Sequence, residues 1–344
     1  MSEVKKEADV LRVGVVGCGY WGPNLVRNFS QIPGSMVPII CDLREERLKH
    51  VQSLYPFVKT TTRFEDLLDD GDLDAVCIAT PVGSHYPLAK RCLEAGKHVL
   101  VEKPLTRSVR EAEELVELAD KTNRTLMAGH TFVYTAAVNK IKELIRADEL
   151  GEIFYIGTAR VNLGLFQEDI NVLWDLAPHD VSIMNYILDS QPLSVATRGA
   201  AYIQKTVEDV AFMTLDYPNG VLAHVHVSWL DPCKIRRTTV VGSKKMLVYD
   251  DVVTLEKIRV YDKGVSVQPH YDSFGEFHLS YRFGDIFVPR LDDSEPLKVE
   301  CGHFVECVRN GIAPRSGAAE ALAVVRAIEA ANVSLRQGGG PVRL

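Results

Sequence analysis

No stretch of the 344-residue chain approaches the ~18 consecutive apolar residues that a membrane-spanning helix requires. A helical membrane protein is therefore excluded, and no membrane partner is expected. Residues 1–9 are polar and mixed in charge, without the apolar segment of a secretory signal, so a cytoplasmic location is expected. Cysteine is sparse and irregularly placed. There are seven, an odd number, and their spacings match no zinc pattern. Scattered reduced thiols are the expectation, with neither a disulfide framework nor a metal. An excess of positive charge is missing too. The formal charge is −7 and the pI about 5.8, which argues against nucleic acid as partner. Internal repeats and low-complexity tracts are absent. What remains is 46% hydrophobic and 25% charged, material for about two soluble domains.

The first third of that material alternates short apolar strands with amphipathic helices. Strands are expected at 11–16, 37–41, 75–79, 99–101 and 125–128. Helices fit the run ending near Phe29, residues 45–54, a start near Ser84, and 108–121, where Ser108 and Glu111 form a capping box. This rhythm predicts an α/β domain with a doubly wound parallel sheet over residues 10–130. After Gly129 the character changes. A connecting helix is expected at 131–147 and another at 177–188. Longer alternating strands fit 153–163, 194–202, 209–217, 221–229 and 236–241. Asn219-Gly220 marks a hairpin tip. Helices are expected at 302–310 and 318–336, with 338–340 as a frayed tail. Residues 131–344 thus read as an α+β domain with a large, mostly antiparallel open sheet.

Gly17-Cys18-Gly19-Tyr20-Trp21-Gly22 follows the first strand directly and opens a helix. In the Rossmann fingerprint the first glycine makes the tight turn. The second lets backbone approach a pyrophosphate, and the third lets helix pack on strand. A helix start there offers N–H groups and a positive dipole end to phosphates. Asp42, at the end of the second strand, stands where an acid binds the adenosine ribose. That charge favours NAD over NADP, although Arg44 lies close enough to compensate a 2′-phosphate. Thr80-Pro81, at another strand end, is expected to border the nicotinamide half. His85 follows as a further candidate there, with a structural histidine as the plainer alternative.

Glu102-Lys103-Pro104 closes the run 99–101 and puts a lysine at a strand's carboxyl end, where cofactor and substrate meet in open α/β sheets. Glu102 and Lys103 are accordingly cofactor-side candidates. In the second domain Asp175 and His179 are four apart, on one helix face. Taken alone, Asp175 reads as an N-cap and His179 as a core histidine.

Together and in this order, the glycine loop, Glu102-Lys103-Pro104 and Asp175-x-x-x-His179 resemble the glucose–fructose oxidoreductase/inositol dehydrogenase (Gfo/Idh/MocA) family. The resemblance extends to 240–244 and 303–306; it departs at Ala177, where many members carry glycine. It implies an NAD-dependent oxidoreductase acting on a ring hydroxyl of a sugar, nucleotide sugar, cyclitol or aminocyclitol glycoside. His179 would be the proton acceptor in oxidation, since an imidazole exchanges protons near neutral pH. Lys103 would stabilise the alkoxide-like oxygen, and Asp175 would orient substrate or lysine. Tyr134, Arg160, Asn162, Trp229, Lys234 and Arg236 are candidate substrate ligands; the last two sit in a basic stretch suited to a diphosphate or merely to solvent. An NAD-dependent glycoside hydrolase and a non-catalytic NAD-binding regulator are the alternatives. His224 and His226 share a strand face without a third ligand. Apolar positions on that sheet suggest a homodimer or homotetramer through the carboxyl-terminal sheet.

Overall fold

The computed structural model describes residues 10–267 and 279–344, which form two compact units. The first contains the residues up to Thr135 together with Ser294–Arg326. The second contains Ala136–Asp293 and Ala327–Leu344.

In the first unit the elements run β1 (Leu11–Val16), α1 (Gly22–Gln31), β2 (Ser35–Met36), β3 (Ile39–Cys41), α2 (Glu45–Leu54), β4 (Lys59–Thr61), α3 (Glu65–Leu68), β5 (Ala75–Ile78), α4 (His85–Glu94), β6 (His98–Glu102), α5 (Val109–Thr122) and β7 (Leu126–Gly129). The sheet order is β4-β3-β1-β5-β6-β7, with β2 paired to the start of β1, and every pairing is parallel. Val13, Val15, Ala75–Ile78 and Val99 have no exposed surface, because helices cover both faces of a parallel sheet. Those two-sided burials are what made the strands continuous apolar runs. Ser108 caps α5 by accepting the Glu111 N–H at 3.3 Å, as the capping box predicts. Sheet order reverses between β3 and β5 on either side of β1, which opens a crevice at their carboxyl ends.

The second unit begins with α6 (Ala136–Arg146). The helix expected over 131–147 is broken: Thr131–Tyr134 form a 3₁₀ turn, and Thr135 is extended before α6 starts. Then come β8 (Ile153–Val161), α7 (Val172–Leu188), β9 (Ser194–Ala200), β10 (Val210–Asp216), β11 (Leu222–Ser228), β12 (Ile235–Gly242), β13 (Met246–Asp250), β14 (Ile258–Val267) and β15 (Leu279–Phe287). They form one sheet in the order β15-β14-β13-β12-β8-β11-β10-β9, antiparallel except where β8 meets β11. Ala211, Met213 and Leu215 of β10 face inward and are fully buried, while Phe212 between them is 44% exposed. The Asn219-Gly220 tip forms as expected, both residues having positive φ.

Two helices follow, α8 (Pro296–Asn310) and α9 (Ala318–Arg336), and then β16 (Val342–Arg343). The reading by chain order put all of them in the second domain. The structure instead groups α8 and the first half of α9 with the parallel sheet. Phe304 of α8 meets Phe29 of α1 edge-on at 6.2 Å, and Met127 of β7 bridges to Gly317. The chain end is not frayed: β16 adds a ninth strand by pairing with β9. Among the described residues no helix is long and apolar enough to cross a membrane.

Candidate functional site

The glycine loop has the form its sequence predicts. Gly17 has φ +93°, and a Cβ there would stand 2.5 Å from the Ala79 carbonyl oxygen. A Cβ on Gly22 would stand 2.1 Å from the Gly17 carbonyl oxygen. At Gly19 a Cβ would meet only the Arg47 guanidinium, at 3.7 Å, so this face of the loop is open to close approach. No side chain caps α1, which leaves its first-turn N–H groups to an anion. Tyr20 is 82% exposed and Trp21 43% exposed beside the loop. Asp42 is buried at the end of β3. Its Oδ2 accepts the Cys18 N–H at 2.6 Å and its Oδ1 accepts the Arg44 N–H at 2.8 Å. The Arg44 side chain is exposed. Arg47, which the sequence reading passed over, holds Nη1 3.7 Å from Asp42 Oδ2. These residues fit a dinucleotide: an open loop, an uncapped helix start and an acid already oriented.

Thr80 and Pro81 follow β5, and Thr80 Oγ1 accepts the Ser84 hydroxyl at 2.8 Å. His85 does not reach this crevice. It is 1% exposed, with Nδ1 2.8 Å from the Pro104 carbonyl and Nε2 2.8 Å from the Thr80 carbonyl, so both ring nitrogens face backbone. The expectation that His85 borders the cofactor is thereby corrected; the physical reason is that its helix start is packed under the strand ends.

Lys103 follows β6, the strand paired with β5 and β7. The backbone around it is lined with buried titratable groups. Glu102 Oε2 accepts the Lys103 N–H at 3.3 Å; burial pushes this carboxyl up to about 7, against the pull of the lysine charge. Glu300 of α8 is 1% exposed and takes a hydrogen bond from the Thr131 hydroxyl at 2.8 Å. Burial, then the charge of Glu102, raises it well above the ordinary carboxylate range. His130, just past β7, is 2% exposed; burial, then the Lys103 charge, lowers it to about 4. Sequence reasoning missed His130, Thr131 and Glu300. The available signal was a titratable residue directly after the all-apolar strand β7, the same position Lys103 holds after β6.

Tyr134 is also corrected. It is 2% exposed, its hydroxyl lies 2.9 Å from Ser316 Oγ, and the Arg315 guanidinium covers its ring at 5.0 Å. It packs inside the first unit and offers no hydroxyl to a substrate.

In the second unit α7 begins five residues before the expected position. Asn171 is its N-cap, accepting the Trp174 N–H at 3.3 Å. Asp175 therefore lies in the first turn rather than at the cap, and His179 follows one turn later on the same face. Trp229 Nε1 donates to Asp175 Oδ2 at 2.9 Å. That indole is 1% exposed and packs on Phe166, so Trp229 orients the carboxylate and is not itself open to substrate. Arg160 is 5% exposed and bidentate to Asp180, at 2.9 and 3.2 Å, which removes it from the substrate ligands. Asn162 is half-buried, its backbone N–H donated to Ser228. Lys234 is exposed. Arg236 lies 3.6 Å from Asp251 and Arg237 3.2 Å from Asp250, so acids face the basic stretch proposed for a diphosphate. His226 and His224 stack with Phe212 at 4.4 and 6.3 Å.

A glycine loop of this shape, an acid on the neighbouring strand and an attached open sheet define a dinucleotide-binding protein with a separate second unit. Residues 11–130 match the model of the oxidoreductase family with an NAD-binding Rossmann fold, and residues 138–248 match the GFO/IDH/MocA C-terminal domain. The chain belongs to the Gfo/Idh/MocA oxidoreductase family, and its first domain is NAD-binding. It is 27% identical over 330 residues to UDP-N-acetylglucosamine 3-dehydrogenase of Acidithiobacillus ferrooxidans, covering 93% of this chain and 98% of that one. A solved structure of that enzyme shares the fold, with a TM-score of 0.78 at 23% identity over 95% of this chain and 98% of the other. An NAD(+)-dependent scyllo-inositol 2-dehydrogenase of Bacillus subtilis is 27% identical over 316 residues, 88% of each chain. Glycosyl hydrolase family 109 protein 2 of Shewanella sp. (strain ANA-3) is 32% identical, but over 164 residues, 45% of this chain and 36% of that protein.

Proposed function

We propose that this protein is an NAD-dependent dehydrogenase that oxidises a ring secondary hydroxyl of a sugar-type or cyclitol substrate to a ketone, or catalyses the reverse reduction. The observation that carries the reading is Lys103 at the carboxyl edge of β6, in the sheet whose β1 leads into the glycine loop. Two relatives that match along most of the chain are a sugar dehydrogenase and a cyclitol dehydrogenase, which supports the class. NAD, when bound, supplies the hydride acceptor.

The chain's own residues supply the rest. His179 accepts the hydroxyl proton during oxidation and returns it during reduction. Lys103 holds positive charge against the oxygen as it becomes alkoxide-like, an effect worth a few kcal/mol. Asp175, held by the Trp229 indole, orients the substrate. Asn162 and Lys234 are retained as ligands, and the half-exposed Phe154, Phe212 and Leu222 support self-association through the sheet.

The test is nicotinamide absorbance during incubation with a panel of inositols, free sugars, nucleotide sugars and aminocyclitol glycosides. One member is expected to reduce NAD, and His179→Ala and Lys103→Ala are each expected to lower turnover by orders of magnitude while NAD affinity stays within about threefold. Near-normal turnover in either variant would overturn the role given to that residue. Glycoside release without net NAD reduction would make the protein a hydrolase instead.

A further inference from the structure

Strands β5 and β6 pair only as far as Ile78 and Val101. Past that point the chain runs into Thr80-Pro81 on one strand and Lys103-Pro104 on the other. Neither proline has an N–H, so neither can extend the ladder as a donor. The Thr80 and Pro104 carbonyls, both near the buried start of α4, still require hydrogen-bond donors. His85 is the side chain that faces both, with one ring nitrogen 2.8 Å from each oxygen.

We propose that His85 is a positioning residue for Lys103, its imidazole tying the turn that carries the lysine to the end of β5. This rests on the reading of Lys103 as the charge that meets the substrate oxygen. A carbonyl oxygen only accepts, and a neutral imidazole carries one N–H, so the ring cannot be indifferent to its tautomer here. It donates to one carbonyl when neutral and to both when it carries a second proton. Burial and the nearby Lys103 charge oppose that second proton, whereas the two carbonyls favour it. Only the doubly protonated ring hydrogen-bonds both chain segments, which share no ladder bond beyond Ile78 and Val101; the neutral ring bonds one of them and packs against the other. With the ring gone, the side-chain contacts from α4 to the Thr80 and Pro104 carbonyls are lost, and with them a restraint on where Lys103, directly before Pro104, stands. Small displacements of a charged group cost rate steeply, on the order of tenfold to a hundredfold.

The experiment compares His85→Phe, which keeps the ring's bulk without its nitrogens, and His85→Gln, which restores an amide donor, with wild type and Lys103→Ala. The expected result for His85→Phe is a fall in kcat of roughly tenfold or more, with substrate KM and NAD Kd changed by less than about threefold. His85→Gln is expected to recover part of the loss. Adding His85→Phe to Lys103→Ala is expected to cost less than about twofold, because a positioning residue has nothing left to position. A wild-type kcat in His85→Phe, or a full loss in the Lys103→Ala background, would overturn the proposal. Near-normal turnover in Lys103→Ala would instead remove the reading on which it rests. If His85→Phe fails to fold, ¹⁵N NMR of the wild-type ring decides. A doubly protonated ring supports the bridge; a neutral ring, which can donate to only one of the two carbonyls, overturns it.

Discussion

Arg160 donates Nε and Nη2 to the two carboxylate oxygens of Asp180, and both side chains are sealed within the second unit, 5% and 1% exposed. Asp180 directly follows His179 in α7, and Arg160 is next to last in β8. The pair therefore pins the helix that carries Asp175 and His179 to its sheet. Asp180→Ala should leave a guanidinium buried without its counter-charge and cost about 3–5 kcal/mol, read as a lowered urea midpoint. Replacing both residues at once, Arg160→Met with Asp180→Leu, should return most of that stability. A single variant whose unfolding free energy stays within about 1 kcal/mol of wild type would show that the pair is not an anchor.

The three loop glycines should separate into two behaviours. Gly17→Ala and Gly22→Ala push a methyl against backbone oxygens at 2.5 and 2.1 Å, and backbone cannot yield as a side-chain tip can. Both should lower the thermal midpoint and abolish NAD binding. Gly19→Ala meets nothing nearer than Arg47 at 3.7 Å, so its midpoint should not move. Its methyl projects where backbone approaches a pyrophosphate, and NAD affinity should fall about tenfold or more by calorimetry. Wild-type affinity in Gly19→Ala would mean that the second glycine does not face the cofactor.

What the sequence disclosed follows from where the physics is local. Strand β5 and the cores of β1 and β6, Val13–Val16 and Val99–Val101, are buried on both faces and so read as apolar runs, and Ser108 with Glu111 signals a cap within four residues. Strands β14 and β15 lie towards one edge of the large sheet and were passed over. Ile258 and Val260, and Leu279, Tyr281 and Phe283, do alternate with polar residues, but charges such as Asp262, Lys263 and Arg282 and a β15 exposed throughout blur the pattern. Helix α7 was placed too late because its cap, Asn171, precedes a Val-Leu-Trp run without an acid three residues on. The allegiance of α8 to the first unit rests on pairs such as Phe29 with Phe304, which no local pattern records. The site divides the same way. Gly17, Gly19, Gly22 and Asp42 were legible because a backbone geometry demands those residue types. Arg160 and Tyr134 were misjudged because a polar side chain looks identical in sequence whether it awaits a ligand or is already bonded to Asp180 or Ser316.

The buried groups around Lys103 predict two opposed limbs in the pH dependence of stability. Glu102 is held near 7 by burial, well above its ordinary 4.5. Between those values the folded state keeps a proton that the unfolded chain has lost, so stability falls as pH rises from about 4.5 to about 7, by roughly 3 kcal/mol. Glu300 is raised as well and acts in the same sense. His130 is lowered from 6.5 to about 4, and His98 likewise, burial being the leading cause in each. For these the unfolded chain takes up protons first, so stability falls as pH drops from about 6.5 to about 4. The limbs overlap and mask one another in the wild type. His130→Phe combined with His98→Gln should expose the carboxyl limb, with a denaturant midpoint that rises on acidification from pH 7 to pH 5. Glu102→Gln with Glu300→Gln should expose the histidine limb, with a midpoint that falls from pH 6.5 to pH 4. Urea titrations at pH intervals across that range measure both. Parallel pH profiles in the two variants would mean that the carboxyls and His130 titrate alike in the folded and unfolded chain.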